Sequence, residues 1–174
     1  MHTGLIGICL RHQLILKGVI FLVLFFAFYS NAQAASRYWV GGGSSSNWDA
    51  TIPTNWSATD GGANDASVPT TQDNVFFKSS ANCAVNVTTA SLDSLDMTGY
   101  TGTLSGSGTI AVRPVSTGTQ VVKLAGTITW TGTLNLGARN TGDILNFTSN
   151  GKTVSNISVG PQSPTSGEIY FLDS

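Results

Sequence analysis

The sequence predicts an all-β protein and, within that class, a short parallel β-solenoid with an aromatic-rich cap at its N-terminal end. Short runs of β-branched and aliphatic residues alternate with Ser, Thr and Asn, the period-two signature of strands with one buried and one wet face. Thr-Gly, Ser-Gly and Asn-Gly turns punctuate these runs. Short phrases also recur, TGTL at 101–104 and 131–134 and GTI at 108–110 and 126–128. Apolar strand centres near Val85, Leu104, Val122 and Leu145 lie roughly 18 to 23 residues apart, a length that suits one solenoid coil. The alternative is an antiparallel β-sandwich, because short strands at regular spacing equally allow it.

Residues 1–34 read as a secretory signal peptide. Arg11 and Lys17 precede an apolar run from Val19 to Tyr29, and the small-residue triplet Ala32-Gln33-Ala34 follows. That order predicts cleavage after Ala34 and a secreted or outer-surface product. The competing reading is a membrane anchor, but the run of about 11 residues falls short of the roughly 20 needed to span a bilayer as a helix. No stable membrane span is expected.

Removing this segment takes away His2 and His12, the only histidines, and leaves Cys83 as the only cysteine. A chain without His cannot build a Ser-His-Asp triad, a Cys-His pair or an H-E-x-x-H zinc site from its own residues. One cysteine also excludes an internal disulfide, so packing and hydrogen bonds must stabilise the exported fold. The remaining charges, Lys78, Lys123, Lys152, Arg37, Arg113 and Arg139 against eight Asp and Glu168, form no basic run, so nucleic acid is not an expected partner.

Residues 35–72 form the expected cap, turn-rich with aromatic residues planted at intervals. A solenoid leaves the edge and apolar core of its first coil open, and Trp39, Trp48 and Trp56 can cover them, each burying on the order of 200 Å². Pro53 and Pro69 fix turns, and Gly41 to Gly43 let the chain pass close to an aromatic face. Residues 73–174 supply the coils. Ile128, Trp130, Leu134 and Leu136 share one parity in TITWTGTLNL, and the same alternation runs through Cys83-Val85-Val87, Ile110-Val112, Val122-Leu124 and Leu145-Phe147. Cys83 on this pattern is a buried small hydrophobe.

The series Trp39-Val40-Gly41-Gly42, Asn47-Trp48, Asn55-Trp56-Ser57, Val68-Pro69 and Asp73-Asn74-Val75-Phe76-Phe77 resembles the opening of autotransporter-like and adhesin-type β-solenoids of the bacterial surface. Lys78 stands where that pattern leads one to expect an acidic residue. The resemblance covers nearly the whole chain after the signal peptide. It implies a structural or adhesive role in contact with a surface glycan or a host or cell-surface protein. Two other classes remain open, a polysaccharide-degrading β-helix enzyme and a structural or host-binding protein of phage origin.

Several residues carry a sharp reading beside a bland one. Trp39, Trp48 and Trp56 can form a glycan-stacking platform or a hydrophobic cap. Asp60, Asn64 and Asp65, with Asp73 nearby, offer oxygen ligands for Ca²⁺, or are ordinary turn residues. Asp93 and Asp96 are the one close carboxylate pair, but three residues apart on a strand they face opposite sides. No catalytic residue is assigned. At the other end, Ile169 to Leu172 reads as an apolar strand with no capping segment after it. The array is expected to be truncated and to self-associate through that edge.

Overall fold

The computed structural model describes residues 34–174 except 53, 115, 117, 139–141, 161–166 and 173–174. The signal-peptide expectation, apart from Ala34, and the readings of Pro53 and Arg139 lie outside the described residues. Among those residues there is no helix, and so none long and apolar enough to cross a membrane.

Strand β1 (Ser36–Trp39) belongs to the head together with the two-residue β2 (Trp56–Ser57). The first coil runs through β3 (Asn74–Phe77), β4 (Cys83–Val85) and β5 (Thr88–Leu92). The second runs through β6 (Ser94–Asp96), β7 (Thr103–Gly106) and β8 (Thr109–Val112). The third comprises β9 (Thr119–Lys123), β10 (Thr127–Ile128) and β11 (Thr133–Leu136). Strands β12 (Ile144–Thr148) and β13 (Asn156–Val159) follow, and β14 (Glu168–Phe171) opens a further turn.

These strands stack into three sheets, ordered β14-β12-β9-β6-β3-β1-β2, β10-β7-β4 and β13-β11-β8-β5. Every ladder between these strands is parallel except β1–β2. The protein is therefore a three-faced parallel β-solenoid of about four turns, and the sandwich alternative is set aside.

Register lines up the inward residues in columns. On the first sheet Val75 stacks on Leu95, Leu95 on Val122, Val122 on Phe147 and Phe147 on Phe171. The second sheet stacks Cys83, Leu104 and Ile128, and the third stacks Leu92, Val112, Leu136 and Val159. Each full burial of such a side chain stabilises the fold by about 1.5 to 3 kcal/mol. The four strand centres noticed in the sequence do not form one column: Val85 and Leu104 lie on the second face, Val122 and Leu145 on the first.

The repeated phrases are corner signals. Gly102-Thr103-Leu104 pairs with Gly126-Thr127-Ile128 on the second face, and Gly108-Thr109-Ile110 pairs with Gly132-Thr133-Leu134 on the third. The two TGTL copies thus sit on different faces, each matched to a GTI. A glycine turns the corner, Thr faces out and an aliphatic residue faces in. Stacked corners leave no room for a side chain, since a Cβ on Gly132 would lie 1.7 Å from the Gly108 carbonyl oxygen. TITWTGTLNL is accordingly two strands around a corner, with Trp130 buried between them and its Nε1 donating to the Gly108 oxygen at 2.9 Å.

A third corner is built from aspartates. Asp73, Asp93 and Asp143 each immediately precede a strand of the first sheet, and all are buried. Asp93 N donates to Asp73 O, stacking the first two, and Asp93 Oδ1 accepts from Ser116 N at 3.2 Å. The Asp73 and Asp93 carboxylates accept from backbone N–H groups at the start of a coil, much as a side-chain oxygen caps a helix.

Candidate functional site

The head is a knot of aromatic rings. Trp39, Trp48 and Trp56 are 1%, 1% and 0% exposed. Trp56 meets Trp39 and Trp48 edge to face at centroid distances of 5.1 and 4.8 Å, and Trp39 stacks on Phe77 at 5.7 Å. Two of the indole N–H groups are satisfied inside, Trp39 Nε1 donating to Ala81 O and Trp56 Nε1 to Trp48 O. Rings so enclosed present no face to a sugar, so the platform reading does not hold for these three residues. Their place is over the first coil.

Two polar residues hold the knot in position. Asn55, 1% exposed, donates to the carbonyls of Ser45 and Asn47 and accepts from Gly43 N, which shapes the Gly-Ser loop above it. Arg37 stands on the inward parity over Val75, and its Nε lies 3.6 Å from Asp73 Oδ2. A charged side chain therefore ends the apolar column. The same Asp73 accepts from Ala35 N and from Thr70 N and Oγ1, tying the described N-terminal end to the first coil.

The outward parity of the same strands carries the chemistry. Because Trp39 and Phe77 face in, Tyr38 and Phe76 face out, and their rings stack at 4.9 Å with an interplanar angle of 18°. Beside them lies a cleft of about 400 Å³, walled by Tyr38, Lys78, the Asp60–Asn64 loop and the Gly41–Gly42 backbone. That volume is in the range of small-molecule sites. Gly41 must be glycine here, since its φ is 71° and a Cβ would fall 2.5 Å from Ala81 Cβ.

Across the cleft Lys78 Nζ donates to Asp60 Oδ2 at 3.2 Å, both side chains being well exposed. Asn64 Nδ2 donates to Gly42 O at 3.1 Å and fixes the loop to the opposite wall. The Lys78 ammonium lies 5.8 Å from the Tyr38 centroid and 5.7 Å from that of Phe76.

The four Ca²⁺ candidates divide among three places. Asp60 and Asn64 belong to the cleft, Asp65 is exposed, and Asp73 is committed to the N-terminal tether. Among the described residues no three His, Cys, Asp or Glu side chains group in a way that could hold a metal ion. Asp93 and Asp96 also part, Asp93 into the buried corner and Asp96 outward to Lys123 at 4.0 Å. Cys83 is a free, fully buried thiol whose pKa burial pushes well up, so thiolate chemistry there is suppressed.

Comparison with protein-family models, curated proteins and solved structures returns no match. Neither Tyr38 nor Phe76 stood out in the sequence as a site residue. The signal available was register: Arg37-Tyr38-Trp39 and Val75-Phe76-Phe77 are two strands whose inward and outward aromatics pair rung for rung.

Proposed function

We propose that the chain is an exported protein of the cell surface or extracellular space, structural or adhesive in role, contacting a surface glycan or a host or cell-surface protein. The observation that carries this reading is the cleft beside the closed head: an aromatic stack, an ion pair and an amide grouped on the outer face of a rigid solenoid. Such a mixture of apolar face and a few polar groups suits recognition. The signal-peptide order of residues 1–34, the lack of His after it and the resemblance of the Trp39–Phe77 series to bacterial surface solenoids support the same reading. The separation of Asp93 from Asp96 favours binding over hydrolysis.

The test has two arms. N-terminal sequencing of secreted protein is expected to begin at Ala35. Residues 34–174 form a compact unit by themselves, so purified 35–174 can be screened against surface glycans and host-surface proteins. A product held in the cytosol, or one with no ligand among either class, would overturn the proposal.

A further inference from the structure

We infer that the head cleft is a binding site for a neutral pyranoside that presents a vicinal diol, with Tyr38 as the stacking surface. This deepens the surface-contact reading and rests on it for where the sugar is met. Phe76 covers one face of Tyr38. On the other side the strand neighbour is Ser57, a small residue buried against Gly62 of the loop that walls the cleft. The Lys78 ammonium lies within cation–π range of both rings, 5.8 Å from the Tyr38 centroid and 5.7 Å from that of Phe76. Tyr38 is only half-buried and lines the cleft. The C–H face of a pyranose, apolar and slightly positive, complements the negative face of such a ring.

The polar wall supplies the second half of the recognition. Asp60 Oδ2 and Lys78 Nζ, 3.2 Å apart, set an acceptor and a donor side by side at about the separation of two adjacent sugar hydroxyls, within hydrogen-bond range. One hydroxyl donates to the carboxylate while its neighbour accepts from the ammonium. Asn64 adds an amide whose Nδ2 is already used on Gly42 O, leaving its carbonyl oxygen as a further acceptor. The charges balance. A uronate or sulfate would have to compete with Asp60 for the one ammonium and would meet the Asp60 carboxylate as a like charge. A neutral sugar keeps the ion pair and bridges it.

The test is titration of purified 35–174 with neutral oligosaccharides of glucose, mannose and galactose, and with polygalacturonate and heparin as charged controls. Saturable binding to at least one neutral series is expected, weakened at least tenfold by Tyr38→Ser and by Asp60→Ala and retained by Tyr38→Phe. Asp60 is exposed, so Asp60→Ala is expected to leave the melting temperature unchanged, which separates loss of contact from loss of fold. Binding that survives both substitutions, absence of binding to every neutral series, or preference for the charged polymers would overturn the inference. If the chain instead binds a host-surface protein equally well with Ser at position 38, the saccharide site falls and the surface-contact reading stands. If export fails, the titration still decides the cleft.

Discussion

The two ends of the solenoid face one problem and meet it differently. Each presents an inward column of apolar residues on which no further coil stacks among the described residues. At the head, Arg37 ends the column over Val75 and three Trp rings close over Phe77, and the inward residues of the first coil, Val75, Phe77, Cys83, Val85 and Leu92, are all 0% exposed. At the other end the columns simply continue. Leu134 and Leu136 are 0% exposed, while their neighbours on the next rung, Ile157 and Val159, are 43% and 54% exposed. Phe147 is 5% exposed and Phe171 above it 56%. Repetition builds coils, but covering an end takes residues that break the repeat.

The sharpest way to test the contrast is to remove one aromatic from each end. Trp56→Ala is expected to destabilise the fold by about 3 to 5 kcal/mol, the cost of deleting a large buried aromatic. Phe171→Ala, at an exposed position, is expected to cost under about 1 kcal/mol. Chemical denaturation of both variants measures the difference. Equal losses would mean that the head is no more closed than the other end.

The next effect in size concerns the aspartate corner. Asp93→Ala leaves Ser116 N without its acceptor in a buried corner, and an expected loss of about 1 to 3 kcal/mol follows. Asp96→Ala, at the end of β6, removes a long ion pair to Lys123 and a hydrogen bond from Thr98 N and is expected to cost under about 1 kcal/mol. Denaturation curves for the two variants check the corner's role directly.

How far the sequence reveals these features depends on which force left a mark. Alternation at Ile110-Val112, Val122-Leu124 and Leu145-Phe147 is legible because the large apolar residues that face in share one parity. The corners are not legible in the same way. Parity runs unbroken from Ile128 through Trp130 to Leu134 because the chain bends while its side chains keep facing the core, so two strands read as one. The three Trp residues show that something large must be buried, but composition alone does not tell a cap from a platform. Tyr38 was hidden for a related reason: its importance lies in pairing with Phe76 across a ladder whose register only the fold defines.

Alkaline pH probes the interior between the two ends. Burial raises the pKa of Cys83 above its ordinary 9.0, and burial, with the nearby Cys83, raises that of Tyr100 above its ordinary 10.0. The single Tyr100 O–H lies 3.0 Å from each of the Ala81 and Thr103 carbonyl oxygens and shares its proton between them. The unfolded chain releases these protons first, so the folded state holds more of them and stability falls as pH rises. The contribution is complete below the ordinary values and declines as pH climbs through and beyond them. Melting temperatures measured from neutral pH upward are expected to stay level and then drop, with the onset moved toward the tyrosine range in Cys83→Ala.

The smallest expected effect on stability accompanies the largest expected effect on association. Strands β13 and β14 are edge strands, and Ile157, Val159 and Phe171 on their inward parity stand open to solvent. Nothing on β13 is charged, and on β14 the one carboxylate, Glu168, accepts from Tyr170 Oη. Edges that carry neither Lys nor Pro are poorly protected against pairing with another strand. Purified 35–174 is expected to self-associate through this face, a second copy supplying both the missing ladder and the missing apolar contact. Phe171→Lys places a charge on the inward column and is expected to shift the population toward monomer while leaving the fold nearly as stable, because Phe171 is already more than half exposed. Sedimentation over a range of concentrations reads the shift. Hydrogen exchange at 169–172 supplies the control: protection in the assembled state, lost in the variant, assigns the contact to β14, whereas association that persists unchanged in Phe171→Lys places it elsewhere on the molecule.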